Sequence, residues 1–345
     1  MKDQDRTEAD VVGSFHGLRA LVIGDALLDT FLEGSAPRIS REAPVPVVEQ
    51  QAEHHFPGGA ANAAANLSAL GAEVAFVGMV GDDVTGTSLR SALQEAGVDD
   101  RWLVTDPNVT TARKLRVLAH DQYLVRVDEG SLSACAPGAR RALLNHVERL
   151  GPQSDLIVIS DYGYSTVSEE IVEWLCKLRA DHPCTLAIDS RDVRRFSRAG
   201  ATLVTPNLEE ARVAVAPGNP SEAEPMDVAR RLREKLDAEN IAITMGGDGV
   251  LLADAEGHIT HLPTRPIRKP DDVGAGDSFI AAAALALATG ARPELAARIG
   301  IDAATIVCTK PRVAVVTNRE LLRRVSLSQQ RAPSAPLSVK EIAVR

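Results

Sequence analysis

The residues with the clearest chemical content lie near position 275. The run Asp271-Asp272-Val273-Gly274-Ala275-Gly276-Asp277-Ser278-Phe279 leads into an Ala/Leu-rich helical segment. Gly274, Ala275 and Gly276 carry little or no side chain, so their backbone N–H groups can approach an anion at a helix N-terminus. Asp277 then falls in the first helical turn, where a carboxylate is either an ordinary cap or a base beside a nest of N–H groups. The second arrangement suits phosphoryl transfer from a nucleotide to an alcohol. The carboxylate takes the hydroxyl proton and the N–H groups receive the developing charge. The chain contains no Gly-Lys dipeptide, which excludes a Walker A loop.

A second segment, Pro57-Gly58-Gly59-Ala60-Ala61-Asn62-Ala63-Ala64-Ala65-Asn66-Leu67, is a Gly-Gly turn opening a helix of very small residues. The alanines read as tight helix–sheet packing. Gly58, Gly59 and Asn62 face the helix start, where a polyol can reach the backbone. Polar residues or glycines also follow five apolar runs: Asp25, Asp161, Asp189, Asn207 and Gly246. Turns favour such residues, but ligands of open α/β sheets bind outside the carboxyl ends of the strands. Arg38, Arg41, Lys114, Arg116 and Arg126 concentrate in two segments of an otherwise acidic chain. They are either solvated strand faces or cations for a phosphorylated substrate, since an arginine fork binds phosphate through two bonds.

The elements that position these residues follow from hydrophobic pattern. Leu18 to Gly24, Val74 to Val80, Leu156 to Ser160, Thr185 to Ile188, Ala201 to Thr205 and Ile241 to Thr244 are apolar at nearly every position. Strands buried on both faces of a parallel sheet have that signature. Helical patterns over 59–70, 86–97, 138–150, 167–180, 224–238, 276–289 and 293–308 alternate with them. The alternation predicts an α/β fold, a doubly wound, mostly parallel sheet with helices on both faces. Lys114 to Asp128 and the stretch around Pro44 to Gln51 instead read as strands with no helix between them. They predict a small β-sheet lid built from about 30–52 and 110–128. Residues 1–16 are expected to form a charged, mobile extension, and 326–345 a polar tail.

Composition narrows the function classes. A net charge of −9 and 3% aromatic residues disfavour nucleic acid and anionic membranes as partners. The four cysteines form no C-x-x-C pair, and the longest apolar run is too short to cross a bilayer. With no apolar signal core at the start, the expectation is a cytoplasmic protein acting on a small molecule.

Taken in order, Gly24-Asp25 with Asp29, Gly58-Gly59-x-x-Asn62, Asn207-x-x-Glu210 and Gly274-Ala275-Gly276-Asp277 resemble the ribokinase-like (PfkB) sugar kinases over residues 17–325. The resemblance implies a kinase domain using ATP and Mg²⁺. It makes Asp277 the general base and Gly274, Ala275 and Gly276 the anion hole. Asn207 and Glu210 organise Mg²⁺ and the phosphates, acting on the metal indirectly. Thr244, Gly246, Gly249 and Arg191 line the nucleotide side. Asp25, Asp29, Gly58, Gly59, Asn62 and Asp161 hold the sugar. Many members bind K⁺ beside the anion hole, and Asp271 matches that position. A homodimer through the lid is expected.

The segments Arg38-Ile39-Ser40-Arg41-Glu42-Ala43-Pro44-Val45-Pro46-Val47 and Lys114-Leu115-Arg116-Val117-Leu118 are more narrowly similar to the D-glycero-D-manno-heptose-7-phosphate kinases. That similarity implies phosphorylation of the anomeric hydroxyl, with Arg38, Lys114 and Arg116 reading the sugar phosphate. No H-x-G-H segment of a nucleotidyltransferase occurs, so a stand-alone kinase is expected. The sequence departs from the pattern in four places, one of them Asp302, where the family often has Asn in the helix near the adenine. Asp272 and Val273 replace hydroxyl residues, Asp161-Tyr162-Gly163-Tyr164-Ser165 lacks a lysine, and Ile188-Asp189-Ser190-Arg191 carries arginine where lysine is usual. A kinase for another sugar or a nucleoside, and a catalytically silent sugar-binding protein of the same fold, remain the alternatives.

Overall fold

The computed structural model describes residues 6–120, 122–130, 135–216, 223–267 and 270–329. The β-branched runs form the centre of a nine-stranded sheet. In chain order its strands are β1 (Arg19–Gly24), β4 (Glu73–Val80), β5 (Leu103–Thr105), β8 (Leu156–Asp161), β9 (Thr185–Ser190), β10 (Ala201–Val204), β11 (Ala238–Thr244), β12 (Val250–Ala253) and β13 (Ile259–Leu262). The spatial order is β13-β12-β11-β10-β9-β8-β1-β4-β5. Pairing is parallel from β5 through to β11, and antiparallel only where β12 and β13 complete one edge.

Successive side chains of a strand point to opposite faces, and here each face has its own apolar core. Ala20 and Val22 of β1 pack with α1 (Glu8–Gly13), α2 (Ala60–Ala69), α3 (Val84–Glu95), α8 (Ala275–Ala288), α9 (Pro293–Val307) and α10 (Asn318–Gln329). Leu21 and Ile23 pack with α4 (Pro137–Leu150), α5 (Glu169–Asp181), α6 (Leu208–Val215) and α7 (Pro225–Lys235). The expected doubly wound architecture is therefore present. α8 is buried on all sides from Asp277 to Ala286, which a helix can manage only if small residues let its neighbours approach. Its Phe279 lies so close to α9 that a Cβ on Gly300 would come within 2.8 Å of the ring.

The lid is a separate four-stranded sheet of order β3-β2-β6-β7, with β2 (Ala26–Ile39), β3 (Pro46–Gly59), β6 (Ala112–Ala119) and β7 (Gln122–Glu129). β2 and β3 leave and re-enter the main domain directly, so Asp25 and the Gly58-Gly59 pair sit at the hinge between the sheets. The lid rests on the loops before α8 and α10. Phe31 and Leu118 pack with Val273 and Val313, Arg312 forms an ion pair with Glu33, and the Tyr123 hydroxyl donates to Asp271 at 3.3 Å.

Two expectations about the ends need correction. Residues 8–13, read as part of a mobile extension, form a helix closed by a Thr7–Asp10 capping box. Val11 and Val12 within it and Phe15 just after it are fully buried, a short apolar face hidden in the sequence by the charges around it. The segment read as a tail from 326 begins inside α10, whose Leu321 and Val325 reach the core; residues 330–345 lie outside the described residues. Among the described residues no helix is long and apolar enough to cross a membrane.

Candidate active site

Asp277 is the centre of the arrangement. It is buried at the N-terminus of α8, where the turn is set by Gly274 in the left-handed region (φ 81°). A Cβ on Gly274 would come within 2.5 Å of the Asn62 amide nitrogen, so the glycine is required by both conformation and space. Both carboxylate oxygens of Asp277 are held. Asn62 donates to Oδ2 at 2.7 Å and the Tyr162 hydroxyl to Oδ1 at 3.1 Å. Burial, offset by these two donors, raises the Asp277 carboxyl to about 6. A base poised near neutrality is what proton abstraction from an alcohol calls for.

Asn62 is fixed from behind. Asn66 donates to its backbone and side-chain oxygens at 3.0 and 3.2 Å, and Asn66 Oδ1 accepts from the Ser278 hydroxyl and the Val316 N–H. The structure thus gives Asn62, read from sequence as a sugar ligand, a direct part in holding Asp277. The anion hole expected from Gly274, Ala275 and Gly276 also needs a correction. The Ala275 N–H is spent on the Asp272 carbonyl at 3.1 Å. The N–H groups of Gly276 and Asp277 have no protein partner among the described residues, as expected for the first turn of a helix. Gly276 also lines the main cavity.

That cavity lies over the carboxyl ends of β8 to β11. Asp161, Asp189 and Glu210 supply carboxylates, and Tyr162, Arg191 and Asn207 the remaining polar groups. Thr205, Thr244 and Phe279 also line it. Asn207 and Glu210 form the capping box of α6: Asn207 Oδ1 accepts the Glu210 N–H and Glu210 Oε2 accepts the Asn207 N–H, each at 2.9 Å. The motif therefore fixes its own geometry and leaves Glu210 Oε1 without a hydrogen-bond donor among the described residues. The Asp189 carboxylate accepts no hydrogen bond among the described residues. Burial first, then the charges of Asp277, Glu210 and Asp161, push its carboxyl well above the usual range. An oxygen-rich, negatively charged rim of this kind fits a hard divalent cation. Gly246 (φ 56°) and Gly249 (φ 92°) shape the turn between β11 and β12, beyond the cavity lining, while Thr244 bridges to Asn207.

The residues assigned to the sugar fall into three groups. Gly58 and Gly59 lie against Asp29 and Leu27, where a Cβ would come within 2.2 and 2.0 Å of those side chains. Asp25, Asp29 and Asp161 are engaged by the protein itself. Asp25 accepts from the N–H groups of Tyr162, Tyr164 and Thr166 at 2.7, 3.0 and 3.1 Å. Asp29 forms a buried ion pair with Arg116, which takes Arg116 away from phosphate reading. Asp161 accepts from Arg195 at 2.6 Å and from the Ser190 hydroxyl.

Lys114 enters the site, its ammonium 4.9 Å from the Tyr162 ring centroid. Burial lowers its pKa, and it feels the charges of Asp29, Arg191, Arg116 and Asp277. Arg38 is not brought there. It is exposed near the far end of β2, nine residues beyond Asp29, a strand length of about 30 Å. The Asp271 carboxylate accepts the Arg312 N–H at 2.8 Å besides the Tyr123 hydroxyl.

Sequence reasoning passed over three members of the site. Tyr162 and Asp189 were visible as strand-end residues without an assigned role, and no spacing signal marked Arg195.

A model of the pfkB family of carbohydrate kinases matches residues 19–318. The chain belongs to this family. It is thus a carbohydrate kinase. The bifunctional protein HldE of Paramagnetospirillum magneticum is 37% identical over 330 residues, covering 95% of this chain and 68% of that protein. HldE of Nitrosococcus oceani is 37% identical over 307 residues, covering 89% and 64%. The kinase chain spans about two thirds of the length of the curated relatives it matches. Among solved structures, the tetrameric inhibited form of Escherichia coli phosphofructokinase-2 superposes with a TM-score of 0.73 at 21% identity, over 91% of this chain and 99% of that one. Thermotoga maritima ribokinase gives 0.68 at 20%, over 90% and 99%. These two likenesses establish the ribokinase-like fold.

Proposed function

We propose that this kinase transfers the γ-phosphoryl group of ATP to the anomeric hydroxyl of D-glycero-D-manno-heptose 7-phosphate, in the cytoplasm. The observation that carries the phosphoryl-transfer chemistry is Asp277, raised to about 6 and held at both oxygens beside the unpartnered N–H groups of Gly276 and Asp277. Asp277 takes the hydroxyl proton. The two N–H groups and the α8 N-terminus receive charge on the transferring group. Glu210, oriented by Asn207, is the residue that would hold Mg²⁺ through its water shell, and its free oxygen suits that task. When bound, Mg²⁺ neutralises phosphate charge. Lys114 from the lid and Arg191 from the nucleotide side place cations over the Tyr162 ring. The lid packed on Val273 and Val313 excludes water from the reacting groups.

The choice of sugar is supported by the RIS-x-EAPVPV and KLRVL segments and by the bifunctional relatives. The test is ADP release over a panel of free and phosphorylated sugars and nucleosides, with Asp277→Asn as the inactive control. Turnover highest on heptose 7-phosphate supports the reading; preference for another sugar or a nucleoside replaces it. K⁺ at Asp271 belongs to the same proposal. Escherichia coli phosphofructokinase-2 is known in complex with potassium, and the second carboxylate oxygen of Asp271 has no donor among the described residues. The lid exposes Tyr123, Leu124, Val125 and Val127 along its edge strand β7, an apolar margin suited to pairing with a second copy.

A further inference from the structure

We propose that Tyr162 is a positioning residue for the proton transfer, its hydroxyl orienting Asp277 and its ring tying that hold to the cations Lys114 and Arg191. The inference rests on the reading of Asp277 as the base.

The two donors on Asp277 differ in kind. Asn62 is buried and locked through Asn66 to Ser278 and to the backbone of Val316, so it offers a fixed reference. Tyr162 stands at the cavity, in the loop after β8. Its backbone is held by the Asp25 carboxylate at 2.7 Å, which explains why a buried acid follows β1. Its ring lies 4.9 Å from the Lys114 ammonium of the lid and 5.8 Å from the Arg191 guanidinium of the nucleotide side. Cations at such distances are attracted to the ring. A substrate anion that draws on either cation therefore acts on the side chain that aims the base. Tyr162 itself remains a donor: burial and the carboxylates of Asp277, Asp189 and Asp29 hold its hydroxyl well above the usual tyrosine range. Accepting this donor uses one lone pair of Asp277 Oδ1 and leaves another for the sugar hydroxyl.

The charged groups around Asp277 are Asp29 of β2, itself paired with Arg116, Lys114 of β6 and Asp189 of β9. Tyr162→Phe leaves all of them and the ring in place. It removes one hydrogen bond to the ionised carboxylate, so proton affinity must rise.

The test is Tyr162→Phe, read by pH profile and by spectroscopy. The acid limb of kcat/KM should move up by about one pH unit, as expected for loss of a hydrogen bond to a charged group. kcat should fall by about tenfold while the sugar KM changes by less than about threefold. Difluorotyrosine at position 162, a stronger donor, should move the limb down and covers the case in which the Phe variant folds poorly. The Asp277 carboxyl carbon, identified by its loss in Asp277→Asn, is titrated by ¹³C NMR in the same proteins. If no sugar is turned over, the functional reading fails alone, and the carbon still reports on Tyr162. An upward midpoint in Tyr162→Phe supports the proposal. An unchanged midpoint and acid limb in both variants overturn it.

Discussion

Replacing Asp277 by Asn separates what the residue does for chemistry from what it costs the fold. The carboxyl rises from 3.8 in its ordinary state to about 6 in the folded protein, chiefly because burial disfavours its charge. Two units correspond to about 3 kcal/mol of stability forgone whenever the group is ionised in both states. The sign follows from the direction of the shift. Above about pH 6 the cost is complete; it shrinks as pH falls from 6 towards 3.8, and vanishes below, where both states are protonated. An asparagine avoids it and fits the same contacts: its oxygen accepts from Asn62 and its NH₂ donates to the Tyr162 hydroxyl, which can turn to accept. Asp277→Asn should therefore lose about 10²–10⁴ in kcat while gaining up to about 3 kcal/mol in denaturant unfolding at pH 7.5. The gain should close as unfolding is repeated towards pH 4. ATP affinity, measured by calorimetry, should change little. Near-normal turnover would refute the assignment of the base. A variant less stable than the parent at pH 7.5 would refute the desolvation argument.

The remaining expectations concern the cations and the lid. Lys114→Ala should lower kcat/KM for a phosphorylated sugar by about 10–100-fold, the equivalent of a hydrogen bond to a charged group of about 1.5–3 kcal/mol. Arg38→Ala, at the distant end of β2, should stay within about twofold by the same assay. Arg116→Ala strands Asp29 in a buried position, so unfolding free energy, measured by denaturant, should fall by about 3–5 kcal/mol. Turnover in K⁺ should exceed turnover in a large organic cation at equal ionic strength, and Asp271→Ala should abolish the difference; activity indifferent to K⁺ in the parent enzyme would remove Asp271 from the cation site.

Most of the architecture was legible because its signals are local. Buried parallel strands such as β8 open on an unbroken apolar run, Leu156 to Ile159, and small-residue helices such as α2 and α8 announce close packing. The antiparallel edge strands β12 and β13 have only four residues each, too short to show a period. α1 escaped notice because three apolar residues carry its burial against α9 and α10, a partner relation no local pattern encodes. The same limit applies in the site. The type and position of Asp277, Asn207 and Glu210 were readable from motif. That Asp25 is saturated by three backbone N–H groups, or that Arg116 belongs to Asp29, depends on contacts spanning 87 to 141 residues.

Those long-range partners sort the carboxylates at the sheet's carboxyl edge into two sets. Asp25 has three N–H donors, Asp29 has Arg116, and Asp161 has Arg195, Ser190 and the Gly163 N–H. Each is a finished contact that builds the hinge or the loop after β8, and a sugar competing for it would have to break structure. Asp277, Asp189 and Glu210 are different. All three are pushed upward first by burial, and Asp189 and Asp277 further by neighbouring carboxylates. A fold has no reason to gather unneutralised acids unless something positive, or a proton in transit, completes them. Asp277 faces the glycine turn and has two neutral donors, which suits a proton. Asp189 and Glu210 line the cavity next to Asn207 with oxygens to spare, which suits a metal-bound phosphate chain. On the proposed reading, unmet charge, more than the motifs, separates the base from the phosphate side.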